Sequence, residues 1–104
     1  MTSGPRSSRA EFRTPRKVLV ELCSLENVTY EFAYTVDVSA RGARLLTKNP
    51  WQSNQLLTVR SLQGNLYSRA RVAYCQSVDA SSFAIGVELR HPTVDWPQPQ
   101  KHSA

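Results

Sequence analysis

Hydrophobic and polar positions alternate with a period of two along most of this chain. In KVLVELC, residues 17–23, Val18, Val20 and Leu22 share one face, while Leu19, Glu21 and Cys23 share the other. In TYEFAYTVDV, residues 29–38, Tyr30, Phe32, Tyr34 and Val36 alternate with Thr29, Glu31, Ala33 and Thr35. A period of two, rich in aromatic and β-branched residues, predicts half-buried strands. The aromatic face of the second run, together with Tyr74 and Phe83, is read as core. ARLLT after Gly42 predicts a third strand, and KNPWQSN then breaks the pattern, Pro50 removing a backbone donor. QLLTVRSL is the fourth strand. QGN at 63–65 turns the chain into LYSRARVAYC, with Ala70, Val72 and Tyr74 expected on one face and Arg69, Arg71 and Ala73 on the other. After the loop SVDASS, FAIGVEL is the last strand, with Phe83, Ile85, Val87 and Leu89 in phase.

Six strands with short links and no helical period predict an all-β antiparallel domain. Closure into a six-stranded barrel removes the exposed edges that would otherwise template aggregation. The expected organisation is a flexible basic arm over 1–15, a barrel over 16–92 and a Pro-rich tail over 93–104. Trp51 and Trp96, both near loop prolines, are expected to pack against the barrel ends.

A chain of 104 residues makes one domain with a core of its own. The formal net charge is +5, and in residues 1–17 five basic residues against Glu11 leave +4 of it. A nearly neutral domain with a basic arm suits an anionic partner, although a solvated tail has the same composition. No apolar run is long enough to span a membrane, and the basic start lacks the apolar segment of a secretory signal, so a cytoplasmic location is expected. Cys23 and Cys75 lie far apart and outside any CxxC pattern, as for buried, reduced thiols. His91 and His102 stand alone, so no metal site is expected. With no nucleophile set, no paired carboxylates and no Gly-rich phosphate loop, neither an enzyme nor a cofactor is expected.

Two features remain: the Arg-rich arm and DVSARG at 37–42, in which Asp37 and Ser39 end one strand and Gly42 opens the next. Taken alone, that hexapeptide also fits an Asx- or Ser-turn. With RAEFR at 9–13 matching RxxxR, DVSARG matching DxSxxG, and ARVAYC followed by FAIGVEL, the chain resembles the PilZ domain family over about residues 9–90. That resemblance implies a six-stranded barrel acting as a receptor for the bacterial second messenger cyclic di-GMP. It assigns the ligand to Arg9, Arg13, Arg16, Asp37, Ser39 and Gly42. The chemistry agrees: a guanidinium fork suits the O6/N7 edge of guanine or a phosphate, a carboxylate suits its N1–H and N2–H donors, and a glycine admits close approach or a positive φ.

Two departures from the family pattern stand out. If Arg16 is the second arginine of RxxxR, the first falls on Phe12, and Arg41 occupies a position where the family often has a small residue. The function expected is therefore a non-catalytic cyclic di-GMP receptor whose arm orders over the ligand and changes the contacts of a downstream protein partner. The alternative is a degenerate barrel that acts through protein contacts without nucleotide. A single-stranded nucleic-acid binder needs exposed aromatics interleaved with basic residues, and reading the aromatics as core argues against one. Arg69 and Arg71, with Arg60 nearby, read as a solvated face.

Overall fold

The computed structural model describes residues 12–97. Seven strands follow one another: β1 (Thr14–Pro15), β2 (Leu19–Ser24), β3 (Tyr30–Ser39), β4 (Gly42–Thr47), β5 (Leu56–Ser61), β6 (Tyr67–Asp79) and β7 (Ser82–Leu89). All neighbours are antiparallel, in the order β3-β2-β5-β6-β7-β4, and β4 pairs back onto β3, closing a six-stranded barrel. The two-residue β1 lies on the same edge of β3 as β2, further along, with Thr14 opposite Val38 and Pro15 opposite Asp37. Backbone pairing thus begins before Arg16, and Pro15 sits on an outer segment where its missing N–H costs little. No helix among the described residues is long and apolar enough to cross a membrane.

The interior is aliphatic. Val20, Leu22, Leu45, Leu57, Val59, Val72 and Ile85 are fully buried, and Trp51 and Trp96 are buried with them. Two polar clusters fix the chain around this core, one at buried Thr35 and one at the half-buried Glu31. Thr35 donates to the Arg16 carbonyl (2.5 Å) and accepts from the Val18 amide (2.8 Å), which anchors the link between β1 and β2. Glu31 accepts from the amides of Lys48 and Asn49 and from the Trp51 indole at 3.0 Å, which ties down the loop after β4. At the predicted QGN turn, Gly64 supplies the positive φ (77°) that the hairpin needs.

The strand segments match the alternating runs, except that β6 continues through Ser77–Asp79 of the expected SVDASS loop and pairs with β7, which leaves Ala80–Ser81 as the turn. Two faces are also corrected. On β3 the small residues Ala33 and Thr35 point inward, while Tyr30, Phe32 and Tyr34 remain 59%, 51% and 48% exposed. A closed six-stranded barrel has a narrow lumen. Val20 faces Ala33 across the β2–β3 ladder, and the aliphatics already named fill the rest, so the aromatics lie outside. On β6 a bulge between Val72 and Tyr74 turns Tyr74 away from the face of Ala70 and Val72. Tyr74 lies over Gly86, where a Cβ would come within 2.4 Å of its ring. Phe83 keeps the inward phase of Ile85 and is half-buried at the barrel end. Cys23 and Cys75 are free and only half-buried, not fully buried as expected.

Candidate functional site

A second bulge governs the site. β3 and β4 are joined by the two-residue turn Ala40–Arg41, with Ser39 opposite Gly42, Val38 opposite Ala43 and Asp37 opposite Arg44. Beyond Asp37 the register shifts, so that Thr35 pairs with Leu45. Strict alternation would place Asp37 on the inner face with Ala33 and Thr35. The extra residue, Val36, re-aims it to the outer face of the barrel, where neighbouring side chains still bury it, a common use of bulges.

There the Asp37 carboxylate meets two arginines. Arg13 donates to Oδ1 at 3.0 Å, and the Arg44 Nε donates to Oδ2 at 2.9 Å, while its Nη2 contacts the same oxygen. Arg44, which forks onto the carboxylate, is the main reason that Asp37 ionises below the usual carboxylate range. Burial opposes this, and the charge of Arg13 adds to it. Arg13 reaches Asp37 because it lies two residues before Pro15, the residue opposite Asp37. The register continues from Arg44 to Gly86 and from Gly86 to Tyr74. Asp37, Arg44, Gly86 and Tyr74 therefore form one row across four strands.

Arg16 and Ser39 lie beside this cluster at the barrel rim, lining a cavity of about 620 Å³ with Phe12, Arg41, Thr93 and Trp96. The Arg16 Nη1 donates to the Trp96 carbonyl at 3.5 Å, and its Nε is buried with no partner among the described residues. The Trp96 indole donates to the Ser39 carbonyl at 2.8 Å, and the Thr93 amide to the Ala40 carbonyl at 2.8 Å. The Ser39 hydroxyl accepts from the Arg41 amide at 3.2 Å, the turn geometry that DVSARG alone suggested. Gly42 has no positive φ. A Cβ there would lie 2.0 Å from the Val87 carbonyl oxygen, so Gly42 is required by the approach of β7.

The fold thus brings Arg13, Arg16, Asp37 and Ser39 together, and Gly42 sits in the wall that supports them. Arg9 lies outside the described residues. Sequence reasoning missed Arg44, Tyr74 and Trp96. Arg44 was recoverable: a two-residue turn between Ser39 and Gly42 sets Asp37 opposite Arg44 by counting back along both strands.

The fold and site define a small closed β-barrel with a cationic cluster around a buried carboxylate at one rim. A comparison with protein-family profiles matches the PilZ domain over residues 7–95, and the chain belongs to that family. A search of curated proteins finds no match.

Proposed function

We propose that this protein is a non-catalytic receptor for cyclic di-GMP, the ligand that PilZ domains generally bind. The observation that carries this reading is the cluster of Arg13 and Arg44 around Asp37. Arg44 belongs to a barrel strand and keeps the carboxylate oriented and charge-compensated. Arg13 precedes the barrel and is half-exposed, so it is the partner free to leave. On binding, Arg13 and Arg16 exchange their present acceptors for guanine O6/N7 or phosphate oxygens, and Asp37 turns a freed oxygen to the N1–H and N2–H of guanine. Ser39 and Gly42 shape the wall beneath. Arg9, further along the arm, adds a second fork. The arm then orders over the ligand, and the altered surface changes contacts with a downstream protein partner in the cytoplasm.

Calorimetry of the wild type, Arg13→Ala and Asp37→Ala with cyclic di-GMP tests this. Saturable heat in the wild type, lost in both folded variants, supports the reading. Absence of heat in the wild type, with a protein partner retained regardless of nucleotide, favours the degenerate barrel in which the Arg13–Asp37 pair is a permanent latch.

One observation favours a second reading. Tyr30, Phe32 and Tyr34 present their rings outward two residues apart, and Lys17 lies 4.6 Å above the Tyr34 ring. The Tyr30 and Phe32 rings meet edge to face with centroids 6.2 Å apart, and exposed rings beside a cation are the groups on which bases of single-stranded nucleic acid stack. Oligonucleotide binding that weakens steeply with salt and disappears in Phe32→Ala would support it.

A further inference from the structure

Away from Asp37, a second cavity of about 410 Å³ opens on the outer face of β5, β6 and β7, lined by Arg41, Arg69, Arg71 and Arg90 among others. The fold gathers these four from three separate places. The Arg90 amide donates to the Arg69 carbonyl, the Leu89 amide to the Arg41 carbonyl, and Arg71 stands opposite Glu88. Among the described residues, Glu88 is the one carboxylate lining the cavity, and it is paired with Arg71, which also donates to Asn54 at 2.9 Å. Arg41, Arg69 and Arg90 make no ion pair with a carboxylate among the described residues, whereas Arg13, Arg44 and Arg60 all do. Four guanidinium groups and one carboxylate leave a local charge of +3. Cations gathered this way repel one another unless an anion joins them.

From this we infer a second ligand site, one that takes a small molecule carrying at least two phosphate charges. Guanidinium forks match phosphate oxygens, the volume suits a small molecule, and Leu25 and Leu56 supply an apolar wall for its uncharged part. Arg41 lines this cavity and the one beside Ser39. A ligand that draws Arg41 to one side removes it from the other, so the two sites are coupled, and reciprocally so.

The test is an NMR titration of the full chain with inorganic pyrophosphate at constant ionic strength, using sulfate and a ten-nucleotide oligothymidylate as comparisons. The expected result is saturable shifts at Arg41, Arg69 and Arg90, with a Kd of about 1 mM or tighter. Loss of each arginine should weaken binding roughly tenfold, in Arg69→Ala and in Arg90→Ala alike. Arg69→Lys, which keeps the charge but not the fork, should fall between. Asp37→Ala should bind pyrophosphate as the wild type does, even though it fails with cyclic di-GMP, which separates this site from the other. The inference is overturned if pyrophosphate gives no saturable shifts, if sulfate gives the same response, or if the arginine variants bind undiminished. Tighter, arginine-dependent binding of the oligothymidylate would also overturn it, making the cavity part of a nucleic-acid track.

Discussion

Replacing Gly42 by alanine separates a glycine needed by the barrel from one needed by a ligand. The added Cβ would lie 2.0 Å from the Val87 carbonyl oxygen and 3.1 Å from its carbon. Both are backbone atoms, so relief requires β4 and β7 to part by more than about 1 Å, given that such contacts rarely fall below about 3 Å. The strain falls on the pairings of Gly42 with Glu88 and of Ala43 with Val87. Overpacking alone costs about 1–3 kcal/mol, and two weakened ladder bonds add about 1 kcal/mol each. A total of about 3–5 kcal/mol is a large share of the roughly 5–15 kcal/mol that holds a domain together. At about 4–8 °C per kcal/mol, Tm should fall by at least 12 °C. Thermal unfolding followed by circular dichroism, without any ligand, measures this directly. A shift under about 4 °C would refute the reasoning and return Gly42 to a role in ligand contact alone.

Three further outcomes follow from the same geometry. Asp37→Asn should destabilise the protein by about 1–2 kcal/mol at pH 7, a value kept low because both arginine partners are half-exposed. Asp37 ionises at lower pH in the fold than in the unfolded chain. Its contribution is therefore complete above its unfolded value near about pH 4 and is lost as pH falls through the folded value. The gap between wild type and Asp37→Asn in urea unfolding should close in acid, and a constant gap would contradict the ion-pair account. Thr35→Val leaves the Val18 amide without its acceptor and releases the Arg16 carbonyl. It should cost about 1–3 kcal/mol in urea unfolding, and a neutral result would deny that Thr35 anchors the rim. Phe32→Ser should change stability by less than about 1 kcal/mol, whereas Leu22→Ala should cost about 2–5 kcal/mol. Equal losses in thermal unfolding would restore the aromatic face to the core.

The strands were legible because alternation over five or more residues is a strong signal, and every alternating run became a strand. Which face points inward was less legible. On β3 the bulkiest residues looked like core, but a narrow lumen selects the small partners Ala33 and Thr35. Periodicity is also blind to a bulge, since one extra residue at Val36 or Ala73 leaves the local alternation intact while reversing everything beyond it. Both bulges sit beside the same row, and they deliver Asp37 and Tyr74 to it. Asp37 and Ser39 could be picked out from DxSxxG. Arg44 could not be seen in any motif and required the hairpin register. Trp96 packs against the barrel end as its place among the prolines suggests, but no pattern in the sequence shows that its indole reaches the Ser39 carbonyl and closes the rim.

The central claim concerns Arg13 and Asp37, and titration calorimetry with cyclic di-GMP tests it most directly. With protein at tens of micromolar, the wild type should give saturable heat, while Arg13→Ala and Asp37→Ala, each folded by circular dichroism, should give none. A silent wild type would contradict the receptor reading. Normal binding by both variants would place the ligand elsewhere on the barrel.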